Sequence, residues 1–285
     1  MKRAVLPPRV AAIHDLSGFG RCSLAVIMPV LSAMGIQVCP LPTAVLSSHT
    51  GGFEGFTCRD LTEDMAPWAA HWASMGLRFD AVYSGWLGSH RQIGLVEDMI
   101  GRFRKENGLV LVDPVLGDDG ELYATCTEEL VSGMRHLIQE ADVITPNVTE
   151  AAFLLGKPVP SCEDEALLAS WLPLLSEGKR GVVLTGVHRK GRIGALSITA
   201  EGERFACFSK EIHRSYPGTG DLFACVLLGM LLQGKTLRRA VAKAVDFTAL
   251  CAAQTAKLGT PERDGVALEP LLRRLPMGSF KGGRP

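Results

Sequence analysis

RVAAIHDLSGFGRCSLAVIMPVLSAMG, residues 9–35, runs from a short Val/Ile-bearing stretch through a polar, glycine-punctuated turn into a longer apolar segment closed by Gly35. RVAAIH (9–14) reads as a strand, DLSGFG (15–20) as a turn and SLAVIMPVLSAMG (23–35) as a buried helix. Strand, turn and helix in that order open a β-α-β unit.

The same alternation continues outward. IQVCPLPTAVLS (36–47) is the next extended region, and FDAVYSG (79–85), LVLVDPV (109–115), ADVITPN (141–147) and GVVLTGV (181–187) are four more strands. Short Val- and Ile-rich runs separated by helical patterns predict an α/β fold with a mainly parallel sheet. RIGALSIT (192–199) and ERFACFS (203–209) read as a hairpin, and so as an antiparallel edge. Two helices follow, at about 221–233 and 237–257. With no internal repeat, low-complexity segment or charged linker, residues 1–285 are expected to form one domain, with a disordered tail from about 278 (SFKGGRP, 279–285). Open parallel sheets bind ligands beyond the carboxyl ends of their strands, which would gather Asp113, Asn147 and Thr185 on one rim.

Composition narrows the partners. The 30 Lys+Arg and 30 Asp+Glu cancel, and no dense basic run is present, which argues against nucleic acid or an anionic membrane surface. From Cys22 to Phe53 there is no charged residue, but Pro29, Pro40, Pro42 and Gly35 break a membrane span and favour a buried helix followed by a buried strand. The 8 cysteines are scattered without a C-x-x-C pair, as expected of reduced, mostly buried thiols. Pro7 and Pro8 interrupt the only N-terminal apolar stretch, so a signal peptide is not expected and a cytoplasmic setting is.

Three motifs carry chemistry. In GTGDLFACVLLG (218–229), Gly218, Thr219 and Gly220 form a turn at a helix start, where free amides and the positive dipole end can surround an anion. Asp221 in that first turn could take a proton from a hydroxyl while the amides stabilise a transferring phosphoryl group. It could also simply favour the helix dipole, with Thr219 as the cap. LVLVDPVLGDDG (109–120) delivers Asp113 at a strand end and Asp118 in the following turn, a set suited to Mg²⁺ or to a solvated acidic turn. ADVITPNVTEA (141–151) places Asn147 and Glu150 at the spacing of a capping box. Together they suit metal-assisted phosphoryl transfer, although neither a P-loop G-x-x-x-x-G-K-[ST] nor a dinucleotide G-x-G-x-x-G is present.

In this order and at these intervals, GTGD, DPVLGD, TPNVTEA and VVLTG resemble the ribokinase-like superfamily. HDLSGFGRCSLAV, PLPTAVLSSHTGGF and YSGWLGS extend the likeness to its pyridoxal kinase branch, over about residues 10–270. The resemblance implies a three-layer α/β/α fold and an ATP-dependent kinase acting on the 5'-hydroxymethyl group of pyridoxal, pyridoxine or pyridoxamine. It implies Asp221 as base and Gly218, Thr219 and Gly220 as anion hole. It places Asp113, Asp118, Thr145 and Glu150 near Mg²⁺ and a monovalent cation such as K⁺, and Asp113, Asn147, Glu150, Thr185, Gly186 and Thr219 near the nucleotide. Ser17, Gly18, Phe19, Thr43, Leu46, His49, Thr50 and Trp86 fall in the segments of the vitamin pocket, beside Asp221. His49 has a second reading as a hydrogen-bonded histidine under a flap. Trp86 stands where several members carry Tyr, and Ile13 near a position where others are polar, departures that bear on vitamer preference. The resemblance also implies a homodimer. Hydroxymethylpyrimidine kinases share most of the later motifs; a sugar or nucleoside kinase of this fold, or a catalytically silent binder of pyridoxal phosphate or nucleotide, are the other readings, the last disfavoured by the intact GTGD.

Overall fold

A computed structural model of the chain describes residues 6–278 and Phe280. The elements run β1 (Arg9–Ser17), α1 (Ser23–Ala33), β2 (Gln37–Leu46), β3 (Cys58–Asp60), α2 (Thr62–Ser74), β4 (Phe79–Ser84), α3 (His90–Phe103) and β5 (Arg104–Val112). Then come β6 (Gly117–Asp118), β7 (Glu121–Leu122), α4 (Glu128–Leu137), β8 (Val143–Ile144), α5 (Val148–Leu155), α6 (Glu165–Ser176), β9 (Gly181–Arg189), β10 (Arg192–Ile198), β11 (Arg204–Lys210), α7 (Thr219–Leu232) and α8 (Leu237–Leu258).

Nine strands form one sheet in the order β11-β10-β9-β8-β5-β4-β1-β2-β3, and β6 and β7 form a separate hairpin. Pairing is parallel from β9 through β2, while β10 runs antiparallel to both β9 and β11, as the sequence predicted for that edge. The opposite edge is antiparallel as well, because β3 pairs with β2. That second edge was not foreseen: CRD is short and exposed, with no apolar alternation to signal it.

Both faces of the sheet are covered. Val10 and Ala12 on β1, Leu111 on β5 and Val183 on β9 pack against α1, α7 and α8. Their neighbours Ala11, Ile13, Val110, Val112, Val182 and Leu184 pack against α2 to α6 on the other side. A strand buried on both faces reads as a continuous apolar run, the pattern seen in the sequence. The uncharged stretch from residue 22 divides into α1 and β2, and among the described residues no helix is long and apolar enough to cross a membrane.

Two expectations need correction. The first strand continues to Ser17, beyond the turn expected at Asp15, because a bulge between His14 and Leu16 lets pairing with β2 resume. The thiols, all free, are not mostly buried: only Cys225 and Cys251 are, Cys58 on edge strand β3 is exposed, and the other five are half-buried, since they sit on strand edges and element ends. Of the tail expected to be disordered, residues 279 and 281–285 lie outside the described residues. The Gly278 amide donates to the Met34 carbonyl at 3.1 Å, and Phe280 packs on the α1 side of the core.

Candidate active site

A cavity of about 950 Å³ opens at the carboxyl ends of β5, β8 and β9. It gathers Asp113, Asp118, Thr145, Asn147, Thr185, Gly186, Thr219 and Gly220, residues drawn from segments far apart in the chain. α7 and α8 supply a more apolar wall, with Phe223 and, along one face of α8, Val245, Thr248, Ala249 and Ala252. Polar strand ends and a largely apolar helix wall in one cleft suit a nucleotide.

Thr219 and Gly220 of the glycine turn line this cleft. α7 begins at Thr219, two residues before the expected start, so Gly220 and Asp221 lie inside its first turn. Gly218 is the N-cap at φ 80°, and no side chain caps the helix. Thr219 is therefore not the cap: its hydroxyl donates to the Tyr216 carbonyl at 3.0 Å. The start of an apolar, 14-residue helix thus presents uncapped amides and a positive dipole end to the cavity. The carboxylate of Asp221 accepts from the Ser23 amide through Oδ2 at 2.7 Å. Its recessed position pushes its pKa up to about 8; the Ser23 hydrogen bond opposes that rise, and the nearby carboxylates Asp113 and Asp15 add to it.

Asp113 follows β5 and accepts from the Thr145 hydroxyl at 2.7 Å. Glu150 is buried on α5; its Oε2 accepts from the Asn147 amide at 2.8 Å and its Oε1 from the Leu116 amide at 3.2 Å. Asn147 closes the capping box through Oδ1, and its Nδ2 donates to the Gly117 carbonyl at 2.8 Å. The capping reading of TPNVTE is thus realised in full: Asn147, which lines the cavity, and Glu150, buried behind it, are both already held by protein. Burial raises the pKa of Asp113 and Glu150, and mutual repulsion adds to it for Glu150. Among the described residues, no Lys or Arg pairs with Asp113, Asp118, Glu150 or Asp221. Asp118 lies in the β6-β7 hairpin, whose turn residues Asp119 and Gly120 both have positive φ; the Gly120 amide donates to Thr149 Oγ1 at 2.9 Å, pinning the tip to α5. Thr185 bridges to Asn147 across adjacent strand ends, its hydroxyl 3.3 Å from the Pro146 carbonyl, and Gly186 follows at φ 72°.

On the far side of Asp221 are the residues predicted for the vitamin pocket, from β1, β2 and the segment after β4. The Ser17 hydroxyl donates to Asp15 Oδ2 at 3.2 Å, and the Gly18 amide to the Leu46 carbonyl at 2.8 Å. Thr43 is fully buried, its hydroxyl bonded to the Trp86 carbonyl at 3.2 Å. Leu46 is buried, Thr50 exposed, and Phe19 is 56% exposed while meeting Phe53 edge to face. His49 accepts the Gly51 amide at Nδ1 and lies 2.7 Å from the Arg263 carbonyl at Nε2, so it carries its proton on Nε2 and both nitrogens are held by backbone. That geometry matches the second reading of His49, as a hydrogen-bonded histidine. Leu46, Thr43 and His49 therefore shape this side rather than offer free polar atoms.

Asp15 and Ser23 were not foreseen. Asp15 is 6% exposed, its pKa raised by burial, and its carboxyl accepts from the Ser17 hydroxyl with the Ser23 side chain beside it. An acid in the turn after a strand is an ordinary sequence feature; only the bulge that carries β1 past it turns it inward.

A family model for phosphomethylpyrimidine kinase matches residues 28–264. The pyridoxine/pyridoxal/pyridoxamine kinase of Bordetella avium is 33% identical over 282 residues, covering 90% of each chain. A protein of Bacteroides thetaiotaomicron described as a phosphomethylpyrimidine kinase, crystallised with pyridoxal, superposes with a TM-score of 0.91 at 41% identity over 98% of both chains. The pyridoxal kinase of Lactobacillus plantarum gives 0.88 at 36% identity, covering 94% of this chain and 96% of its own. The chain belongs to the phosphomethylpyrimidine kinase family, as a relative of the pyridoxal kinases within the ribokinase-like superfamily.

Proposed function

We propose that the chain transfers the γ-phosphoryl group of ATP to the 5'-hydroxymethyl group of pyridoxal, pyridoxine or pyridoxamine, with Asp221 as general base. One observation carries this reading. Asp221 lies in the uncapped first turn of α7, directly after Thr219 and Gly220, which line the cavity, and its carboxylate accepts the amide of Ser23 at the start of α1. The acceptor alcohol gives its proton to the carboxylate as its oxygen bonds to the γ-phosphorus and the bond to ADP breaks. The amides of the GTGD turn hold the charge that develops on the phosphoryl oxygens.

Mg²⁺ fits the carboxylates at the strand ends. Asp113 and Glu150 form a buried acidic pair without a basic partner among the described residues, an arrangement that a cation would relieve. Among those residues no group of three or more acidic, His or Cys side chains makes a closed cage, which agrees with an ion completed by phosphate and water. Asp113 would hold it, with Asp118 near; Thr145 orients Asp113, and Glu150, its oxygens taken by amides, acts from behind. When bound with ATP, the ion neutralises phosphate charge. A monovalent cation, K⁺, belongs to the same proposal for this region, as the resemblance implies.

An ADP-release assay with ATP and Mg²⁺ against the three vitamers, hydroxymethylpyrimidine and ribose tests the reading. Turnover on the vitamers is the expected result. Turnover confined to hydroxymethylpyrimidine or ribose would move the substrate within the same fold, and silence on all five would favour a binding protein.

A further inference from the structure

α1 begins in an uncommon way. Ser23, its first residue, has φ 48°, in the left-handed region that L side chains seldom adopt, and it is 7% exposed. Such a conformation persists only where its surroundings over-determine it, and those sites cluster around function. The surroundings here are explicit. A Cβ on Gly218 would lie 1.9 Å from the Arg21 carbonyl oxygen, so the GTGD turn is pressed onto the corner leading into Ser23. On the other side the Arg21 amide donates to the Asp264 carbonyl at 3.2 Å, and Arg21 bridges to Gly265.

Ser23 stands between the two carboxyl groups of this corner. Its amide donates to Asp221 Oδ2 at 2.7 Å, and its side chain lies beside the carboxyl of Asp15 on β1. Among the described residues nothing donates to Asp221 Oδ1. One oxygen is gripped and the other is left for a proton.

We propose that Ser23 is a positioning residue for phosphoryl transfer: its left-handed turn aims an amide at Oδ2 of Asp221, leaving Oδ1 to take the acceptor's proton. The inference rests on the kinase reading above. The base would then be aligned by the start of α1 as well as by its own helix, and two helix N-termini would share one carboxylate.

The grip has a signature beyond stability. A donated amide favours the ionised carboxylate, so losing it moves the ascending limb of the rate profile, where the base loses its proton, to higher pH. The other groups facing Asp221 are Asp15 on β1, Cys22 before α1, Tyr83 on β4, Asp113 after β5, Tyr123 beyond the β6-β7 hairpin and Cys225 on α7; none changes in the variants below.

The test compares Ser23→Val, whose branched side chain resists positive φ and should swing the amide away, with Ser23→Gly, which keeps the amide and accepts the turn. Turnover, the KM for ATP and the pH profile of kcat/KM are measured beside wild type on the vitamer panel. Expected for Ser23→Val are a loss of kcat of at least thirtyfold, a KM for ATP within about threefold of wild type, and a limb displaced upward by at least half a pH unit. Ser23→Gly should keep the limb in place and lose less than tenfold in turnover. If Ser23→Val does not fold, Ser23→Ala takes its place, and an upward limb with reduced kcat supports the proposal. An unmoved limb, or equal loss in the Val and Gly variants, overturns it. A wild type silent on every alcohol would instead sink the kinase reading, and so the two failures are distinguishable.

Discussion

Gly218 and Arg21 meet backbone to backbone: a Cβ on Gly218 would lie 1.9 Å from the Arg21 carbonyl oxygen, and Gly218 itself is held at φ 80°. The first glycine of the turn is thus required by the corner in front of α1, whereas Gly220, with nothing within 4 Å of its would-be Cβ, is not required by packing.

Gly218→Ala should therefore destabilise the fold, by about 2–4 kcal/mol from strain and overpacking together. Gly220→Ala should leave stability within about 1 kcal/mol of wild type or raise it, since Ala is the better helix residue. It should still raise the KM for ATP, because its methyl group enters the cavity. Urea unfolding and steady-state kinetics on both variants separate the two roles; equal destabilisation would show that Gly220 is also a packing residue.

Asp221→Asn keeps the shape of the base and removes its proton affinity. Turnover should fall by about 10²–10⁴, the usual contribution of a positioned general base. ATP affinity, set by the cavity walls and amides, should change by less than about threefold, since Asp221 is not among the cavity-lining residues. Parallel loss of turnover and of ATP binding would assign Asp221 to the nucleotide site instead.

The raised pKa of Asp221 has two consequences of definite sign. Activity needs the ionised form, so kcat/KM should rise with pH through a limb near 8, and a limb near 4 would mean that the carboxylate is not desolvated. The folded state binds the proton more tightly than the unfolded chain, whose value is near 3.8, so this group's contribution to stability is full below pH 3.8 and is lost as pH rises through about 8. Asp221→Asn should accordingly match wild type near pH 4 and be the more stable by about 1–3 kcal/mol at pH 8. Thermal melts of both proteins across that range check the sign.

Asn147 and Asp113 share the rim of the cavity but differ in what already holds them. Asn147→Ala breaks the capping box and the tie to Gly117 and should cost about 1–2 kcal/mol of stability, with a smaller effect on the KM for ATP. Asp113→Asn should leave stability unchanged or improved, since it relieves the pair with Glu150, and should raise the Mg²⁺ concentration for half-maximal rate at least tenfold. Mg²⁺ titrations of turnover, with melts of each variant, decide between the two roles.

Much of the fold was legible because its signals are local. The apolar runs at 79–84, 109–112 and 181–187 are strands buried on both faces, and a run of that kind leaves no other compact option between polar turns. The hairpin at 192–210 carried its own turn residues, and GTGD marked a helix start to within two residues. β3 carried no such signal, being three exposed residues whose pairing is supplied by β2.

The site was legible in its list and not in its state. By itself the sequence determined the alternation of strands and helices and the placing of an acid beside a glycine turn, because each depends on residues close together in the chain; the rim on which Asp113, Asn147 and Thr185 meet followed because parallel strands end on one side of a sheet. Only the tertiary structure decided that Glu150 also accepts the Leu116 amide, that the Asn147 side chain is tied to Gly117, that both ring nitrogens of His49 are held by backbone, and that Asp15 and Ser23 lie beside Asp221. Hydrogen-bond occupancy and desolvation depend on what lies opposite in space, and the amide that grips Asp221 comes from 198 positions away.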